Sequence, residues 1–315
     1  MAAGVPVTAG LPVAAGLPVG RRRCAVLGHP IGHSLSPVLH RAAYAALDLD
    51  WTYEAVDVTG DALAGFLDGL DPSWRGLSLT MPLKRAVLPM LDVVDPLART
   101  VGAANTVVLD EDGRTGSNTD VGGLLGALAA VGIGAPGPGA ATRAPTSCLV
   151  LGGGATAAST VVALSRLRPR EIVVAVRDRD RAAPVLALAA SVGTPVRAAD
   201  LAAARSWGRP DLVVATLPAG AADGLAAAVA DCVTPGGVVF DVVYDGWPST
   251  LARAATAAGA TVLSGLDLLV HQAAGQVAAF TGVQVPVGVL EAALAAAGLP
   301  GPAGTAASAS ESPRG

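Results

Sequence analysis

The side chains best suited to acid–base chemistry in this sequence lie within a short stretch of its first half. Lys84 is the only lysine, so that 20 of the 21 Lys and Arg residues are arginine. Arginine keeps its proton in proteins, whereas lysine can donate and recover one. The chain's only two asparagines, Asn105 and Asn118, follow in short polar motifs, and Asp120 comes closely after them. Lys84 alone could equally be a solvated helix residue, but this grouping in a chain rich in Ala, Val, Leu and Gly indicates a polar site.

The composition predicts a soluble protein without a nucleic-acid or membrane partner. Of the 315 residues, 52% are hydrophobic and 15% are charged, and Gly and Pro interrupt every apolar run before it could cross a bilayer. With a net charge of −4 and 3% aromatic residues, the chain lacks the basic, aromatic surface typical of nucleic-acid binding. Cys24, Cys148 and Cys232 are scattered, as are the four histidines, which predicts a cytoplasmic protein without a metal site.

Strands and helices alternate along the first half, which predicts an α/β fold with a mainly parallel sheet. Ser34 and Ser36 follow the first strand, and Ser36 before Pro37 is typical of a helix N-cap. Hydroxyl and amide groups at a helix start favour a carboxylate. A later strand ends at Thr80, which places Lys84 in the first turn of the next helix, near the sheet edge where ligands bind.

The second half carries a glycine-rich turn of the kind that binds dinucleotides. The strand Cys148–Leu151 opens onto Gly152–Ala157, a G-x-G-x-x-A pattern, and an apolar helix follows. Strand, turn and helix in this order are typical of a Rossmann-type unit, whose turn approaches a pyrophosphate. The next strand ends at Arg177, where NAD enzymes usually place an acidic residue. Arg177 could pair with the 2′-phosphate of NADP, or it could be a solvated residue at the end of a strand. Because the acidic Asp178 follows it, NAD also remains a possible cofactor.

Four motifs of the first half resemble those of the substrate site in the shikimate dehydrogenase family. They are Gly-His-Pro-Ile-Gly-His-Ser-Leu-Ser-Pro from Gly28, Ser-Leu-Thr-Met-Pro-Leu-Lys from Ser78, Gly-Ala-Ala-Asn-Thr from Gly102 and Ser-Asn-Thr-Asp from Ser117. The resemblance extends from about Cys24 to the last helices. It implies the reversible reduction of 3-dehydroshikimate to shikimate with NADPH, a step of the chorismate pathway of aromatic amino-acid biosynthesis.

The resemblance also implies roles for the candidate residues. Lys84 and Asp120 would be the catalytic pair, with the ammonium supplying a proton to the ketone oxygen on which charge develops. The candidates for binding the carboxylate and hydroxyls of the substrate are Ser34, Ser36, Thr80, Asn105, Tyr244 and Gln272. The cofactor, NADP(H) in preference to NAD(H), would be held by Gly152, Gly153, Gly154, Ala155, Thr156, Ala157, Arg177, Thr216 and Gly265.

Composition and resemblance together divide the chain into five parts. These are a disordered arm (1–20), a substrate-binding and catalytic domain (21–122), a Rossmann-type NADP-binding domain (123–264), C-terminal helices that pack back on the substrate domain (265–300) and a disordered tail (301–315). The sequence departs from the family at Ser78, where the family has Asn, and around Arg177, where the family has Asn-Arg-Thr.

Two other functions are compatible with these residues. One is an NAD-dependent quinate/shikimate dehydrogenase of the same fold. The other is a dinucleotide-binding regulatory protein without catalytic activity. Such a protein would be expected to have lost Lys84 or Asp120, and both are present. Whether the chain forms a homodimer is left open by the sequence.

Overall fold

The computed structural model describes residues 20–134 and 142–301, which form two halves, each built on one sheet. The predicted arm and tail, apart from Gly20 and Gly301, lie outside these residues, as does a short stretch of the predicted dinucleotide-binding domain (135–141). Among the described helices, none combines the length and the apolar character that a membrane span requires. The predicted α/β class is confirmed.

The first half consists of six strands and five α-helices within the described residues. The strands are β1 (Arg22–Gly28), β2 (Trp51–Asp57), β3 (Trp74–Leu79), β4 (Val93–Val94), β5 (Thr106–Asp110) and β6 (Gly113–Ser117). The helices are α1 (Ser36–Ala46), α2 (Leu63–Asp68), α3 (Leu83–Ala86), α4 (Pro96–Val101) and α5 (Asp120–Ala130). The strand order is β2-β1-β3-β5-β6-β4.

This first sheet is parallel on one side and mixed on the other. β1 runs parallel to β2 and β3, whereas β5 runs antiparallel to both β3 and β6. The β5–β6 hairpin was not among the predicted elements. Because β5 begins beside the end of β3, with Thr106 opposite Ser78, residues after β3, before β5 and after β6 all gather at one sheet edge.

The second half has a fully parallel sheet over its described residues. Its strands are β7 (Ser147–Leu151), β8 (Glu171–Val176), β9 (Val196–Asp200), β10 (Leu212–Ala215), β11 (Val238–Asp241) and β12 (Thr261–Leu263). Its helices are α6 (Ala155–Leu167), α7 (Arg179–Ser191), α8 (Ala226–Cys232) and α9 (Thr250–Ala257). The order β12-β11-β10-β7-β8-β9 is that of a doubly wound dinucleotide-binding sheet, with the crevice between β7 and β10.

Two final helices, α10 (Gly265–Thr281) and α11 (Val287–Ala296), pack against the first half. Leu39 and Ala43 of α1 share an apolar cluster with Val270 and Ala273 of α10 and Leu290 of α11. Ser264 caps α10, since its side chain accepts from the backbone of the first turn while Asp267 accepts from the Ser264 backbone N–H. The packing brings the first turns of α10 beside α5.

The predicted N-cap role of Ser36 is wrong. α1 begins at Ser36 itself, and Leu35 occupies the N-cap position without a side-chain cap. The Ser34 hydroxyl accepts the Ser36 backbone N–H at 3.4 Å instead. Pro37 still lies in the first turn, where a helix does not need its missing N–H. Proline therefore marked the start of the helix correctly, but the N-cap is Leu35 rather than Ser36.

Candidate active site

Lys84 and Asp120 meet at the sheet edge where β3 and β6 end. Lys84 Nζ lies 2.6 Å from Asp120 Oδ2. Lys84 is on α3, whose backbone is fixed by the buried Leu83 and by a bond from the Ala104 N–H to the Lys84 carbonyl. The Lys84 side chain is 15% exposed, whereas that of Asp120, the first residue of α5, is 2% exposed. The ammonium therefore reaches an open cavity while its partner is buried behind it.

Asn105 organises the groups behind this ion pair. Its Nδ2 lies 2.8 Å from Asp120 Oδ1, 2.9 Å from Thr119 Oγ1 and 3.0 Å from Gln272 Oε1. Its Oδ1 accepts the Thr119 backbone N–H at 2.8 Å, which fixes the orientation of the amide. Two N–H bonds thus face three acceptors, so at least one of the three receives no proton from Asn105.

Asn118, which the sequence analysis grouped with these residues, has a different role. Its side chain donates to the Ala103 carbonyl and to Ser159 Oγ of α6, and it accepts the Val121 backbone N–H. These contacts fix the start of α5 and join it to the second half. Asn118 therefore positions Asp120 through the backbone rather than by contact with Lys84.

A cavity of about 380 Å³ lies beside the ion pair. Its wall contains all the residues predicted as catalytic or substrate-binding except Asn105, namely Ser34, Ser36, Thr80, Lys84, Asp120, Tyr244 and Gln272. Asn105 lies behind this wall. Ser78 and Gln276 also line the cavity, although neither was a predicted site residue. Gln276 follows Gln272 by about one helical turn, and this spacing was the sequence signal that could have identified it.

A second cavity of about 940 Å³ opens along the β7–β10 crevice. Of the residues predicted for the cofactor, its wall contains Gly152, Gly153, Gly154, Ala155, Thr156, Arg177 and Thr216. Ala157 is buried in α6, where it contributes packing, and Gly265 lines the smaller cavity instead. Seven residues line both cavities, among them Thr80, Lys84, Thr156 and Thr216, so the two cavities meet beside Lys84.

The glycine turn has the geometry that a dinucleotide requires. Gly152 has a φ of +116°, and a Cβ at this position would lie 2.6 Å from Thr216 Oγ1. α6 begins at Ala155, so its unpaired backbone N–H groups face the cavity and favour an anionic pyrophosphate. In the described residues no His, Cys, Asp and Glu cluster is placed to hold a metal ion.

Arg177 lies exposed at the end of β8, on the wall of the larger cavity. Asp178, whose negative charge left NAD open in the sequence analysis, accepts the Asp180 backbone N–H at 2.9 Å. One carboxylate oxygen therefore contacts the first turn of α7. The wall of the larger cavity thus contains Arg177, whose guanidinium is suited to binding a phosphate. The neighbouring carboxylate of Asp178 is hydrogen-bonded to the start of α7.

Tyr244 reaches the smaller cavity from the loop after β11. Its hydroxyl lies 3.5 Å from the His33 carbonyl of the first half. Burial raises the pKa of Tyr244, so the phenol remains a hydrogen-bond donor at neutral pH. The loop is held at Asp241, which accepts the Ser249 hydroxyl at 2.6 Å and the Val243 N–H at 3.4 Å.

Two family models match the chain. The shikimate dehydrogenase substrate binding domain matches residues 26–107, and the shikimate 5′-dehydrogenase C-terminal domain matches residues 265–295. Shikimate dehydrogenase (NADP(+)) of Moorella thermoacetica is 34% identical over 277 residues, covering 86% of this chain and 91% of the relative. That of Thermus thermophilus is 39% identical over 279 residues, covering 88% and 99%.

Solved structures agree with this assignment. Mycobacterium tuberculosis shikimate dehydrogenase superposes with a TM-score of 0.76 at 40% identity, covering 87% of this chain and 99% of that chain. The Thermus thermophilus enzyme in complex with NADP(H) and shikimate superposes with a TM-score of 0.74 at 37% identity, covering 88% and 99%. With relatives this similar over nearly their whole length, the chain belongs to the shikimate dehydrogenase family.

Proposed function

We propose that this protein catalyses the reversible reduction of 3-dehydroshikimate to shikimate with NADPH. The observation that carries the proposal is the Lys84–Asp120 pair, 2.6 Å apart, at the point where the two cavities meet. One cavity has the size and polar wall for a small ring acid, and the other has the glycine turn and the arginine for a phosphorylated dinucleotide. The relatives named above are NADP-dependent shikimate dehydrogenases.

The residues of the larger cavity fit NADP(H). Gly152 to Thr156 would hold the pyrophosphate through backbone N–H groups, and Arg177 would bind the 2′-phosphate. When bound there, the nicotinamide supplies the hydride. Thr216, which closes the turn against Gly152, would limit how deeply the cofactor enters.

The substrate would be oriented by neutral hydrogen-bond donors and by the buried polar cluster. Ser34, Ser36 and Tyr244 are proposed for its carboxylate, because all three line the smaller cavity and have hydroxyl groups that can donate to it. Thr80, Asn105, Asp120 and Gln272 are proposed for its hydroxyls. Since Asn105 lies behind the wall, it would act largely through Asp120 and Gln272, whose oxygens it fixes.

Lys84 would transfer the proton. As negative charge develops on the substrate oxygen, the ammonium donates a proton to it, and in the oxidation direction the amine takes the proton back. Asp120 keeps Nζ in one place, and Asn105 holds the opposite carboxylate oxygen. An inactive regulatory protein would not need this intact pair.

The proposal includes the division of the chain and its cellular location. Residues 21–122 with the helices of 265–300 would form the substrate-binding part, and residues 123–264 the dinucleotide-binding part. The packing of α10 and α11 on α1 supports this division. A cytoplasmic location is supported by the three cysteines, all unpaired and all within the described ranges.

The direct test follows NADPH absorbance after addition of 3-dehydroshikimate. We expect NADPH to be consumed with formation of an equal amount of shikimate, and NADH to be used with a much higher KM. Parallel assays of shikimate and quinate oxidation distinguish the substrates. Absence of turnover with either cofactor would contradict the proposal, and equal use of NADH and of quinate would favour a quinate/shikimate dehydrogenase.

A further inference from the structure

A chain of three buried side chains leads from the aromatic core to the wall of the smaller cavity. Tyr53 Oη lies 2.6 Å from Ser78 Oγ, and Ser78 Oγ lies 2.9 Å from Gln276 Oε1. Gln276 Nε2 lies 3.0 Å from the backbone carbonyl of Asn105. The exposed fractions of Ser78 and Gln276 are 3% and 1%, and both residues line the cavity.

The hydrogen-bond direction along this chain is fixed from one end. The Asn105 carbonyl can only accept, so the amide nitrogen of Gln276 must face it and the amide oxygen must face Ser78. That oxygen can only accept, so the Ser78 hydroxyl donates its single proton to it. Ser78 then accepts from the Tyr53 hydroxyl, which has a proton because burial raises the Tyr53 pKa.

This direction determines what Ser78 can offer a ligand. A serine hydroxyl has one proton and two lone pairs. Ser78 donates its proton to Gln276, and one of its lone pairs accepts the proton of Tyr53. Only the second lone pair therefore remains for a ligand. We propose that Ser78 presents an acceptor and no free proton to the substrate, and thereby selects a ligand hydroxyl at this wall of the smaller cavity. The inference rests on the proposed function, because it takes this cavity to be the substrate site.

The same reasoning makes Ser78 an unfavourable contact for the substrate carboxylate. Carboxylate oxygens are acceptors, and an acceptor placed against the remaining lone pair of Ser78 gains no hydrogen bond. The carboxylate is therefore directed toward the donors Ser34, Ser36 and Tyr244. Ser78 acts as a specificity-determining residue, and Gln276 acts as a positioning residue that sets its direction.

The experiment compares shikimate with analogues in which each ring hydroxyl is replaced in turn by hydrogen or fluorine. Fluorine can accept weakly but cannot donate. For the hydroxyl that contacts Ser78, we expect both analogues to bind the wild-type protein about 3- to 10-fold more weakly than shikimate. At that position, the fluorine analogue should bind no more tightly than the hydrogen analogue. In Ser78→Ala, this preference for the hydroxyl should fall to about twofold or less.

Gln276→Leu tests the hydrogen-bond direction by a reversal in the order of analogue binding, and this test does not depend on the stability of Ser78→Ala. Removing the glutamine oxygen releases the Ser78 proton toward the cavity, so the wall changes from acceptor to donor. We expect the fluorine analogue to bind this variant better than the hydrogen analogue, the reverse of the wild-type order. Thermal unfolding of both variants reports whether they are folded.

Two results would overturn the inference. One is a fluorine analogue that binds the wild-type protein better than the hydrogen analogue at every ring position. The other is a hydroxyl preference that folded Ser78→Ala and Gln276→Leu both leave unchanged. If the wild-type protein does not oxidise shikimate at all, the proposed function fails instead, and turnover measured beside the binding constants separates the two cases.

Discussion

At the scale of single residues, the site depends on side chains whose hydrogen-bonding capacity is only partly used. Asp120 binds Lys84 through one oxygen and Asn105 through the other, which fixes both neighbours. Lys84 retains two further N–H bonds beyond the one given to Asp120. In the proposed reaction, the catalytic proton and the substrate contacts would therefore come from groups already oriented before a ligand binds, which lowers the cost of assembling the site.

Arg177 should determine the preference for NADPH over NADH. We expect Arg177→Ala to raise KM for NADPH by about 10- to 100-fold, the loss of a charge-assisted contact, while KM for NADH changes far less. Arg179→Ala is the matched control, because Arg179 is an exposed arginine on α7 close by in sequence. Steady-state kinetics with both cofactors is the measurement. Equal effects of Arg177→Ala on NADPH and NADH would contradict phosphate recognition.

His40 should make the folded state sensitive to acid. It is fully buried, stacked on Tyr53 with ring centroids 3.9 Å apart, and burial lowers its pKa to about 4. Between this value and the ordinary pKa of about 6.5, the unfolded chain binds more protons than the folded one. The contribution of His40 to stability is therefore complete above about pH 6.5 and is lost as the pH falls toward 4, by about 3 kcal/mol in all.

The test compares wild type with His40→Phe, which keeps an aromatic ring on Tyr53 but does not titrate. Denaturant unfolding at a series of pH values should show that the free energy of unfolding falls less steeply below pH 6.5 in the variant, by up to about 1.4 kcal/mol per pH unit. If the free energy of unfolding fell equally steeply with falling pH in both proteins, His40 would not be the source of the acid sensitivity.

The sequence pointed to the candidate catalytic pair more clearly than to the residues that support it. Lys84 and Asp120 could be identified because a lone lysine and a short polar motif contrast with their apolar surroundings. Asn118 lies in the same motif, yet its side chain points to Ala103 and Ser159, and the direction of a side chain at a strand end is decided by packing. Gln276 was not predicted: its spacing from Gln272 places both on one helix face, but a glutamine by itself gives no sign that it is buried.

At the scale of elements, the position of α10 against β3 and β5 sets the shape of the smaller cavity. Arg75 of β3 donates to the Phe280 carbonyl near the end of α10 and to the Leu109 carbonyl of β5. The Phe280 ring lies directly over Gly76, where a Cβ would overlap it. Since α10 also carries Gln272 and Gln276, this contact determines how closely both glutamines approach Asn105.

Gly76→Ala should therefore affect both stability and substrate binding. Overlap of the new methyl group with Phe280 should lower the free energy of unfolding by about 1–3 kcal/mol. The displaced helix should also raise KM for shikimate more than KM for NADP(+). Gly65→Ala on α2 is the control, because nothing lies within 4 Å of a Cβ there and alanine should stabilise the helix by about 0.5–1 kcal/mol. An unchanged shikimate KM in Gly76→Ala would contradict the role of this contact.

The predicted elements differ in how far local sequence could define them. The strand–turn–helix at Gly152 was predicted because its parts are adjacent in the chain and each has a local signal. The β5–β6 hairpin was missed, although Gly113 marked the turn. Only Glu111 and Asp112 separate the two strands, and a connection this short can join only antiparallel neighbours. Strand order, by contrast, depends on distant contacts that no local pattern contains.

At the scale of the whole molecule, function depends on two halves that each supply part of one site. Thr80 and Lys84 come from the first half, and Thr156 and Thr216 from the second. Lys84 and the glycine turn are thus brought together by the packing of the two halves rather than by any one motif. Closure of the cleft on its ligands would exclude water and bring the two groups into register.

The most direct test of this account measures turnover and shikimate binding together in Lys84 variants. Lys84→Ala removes the proton donor, and Lys84→Arg keeps the positive charge but does not release a proton. We predict that both lower kcat by at least about 100-fold while the Kd for shikimate, measured by calorimetry, stays within about an order of magnitude of wild type. A folded Lys84→Ala or Lys84→Arg protein that turns over at the wild-type rate would contradict the account.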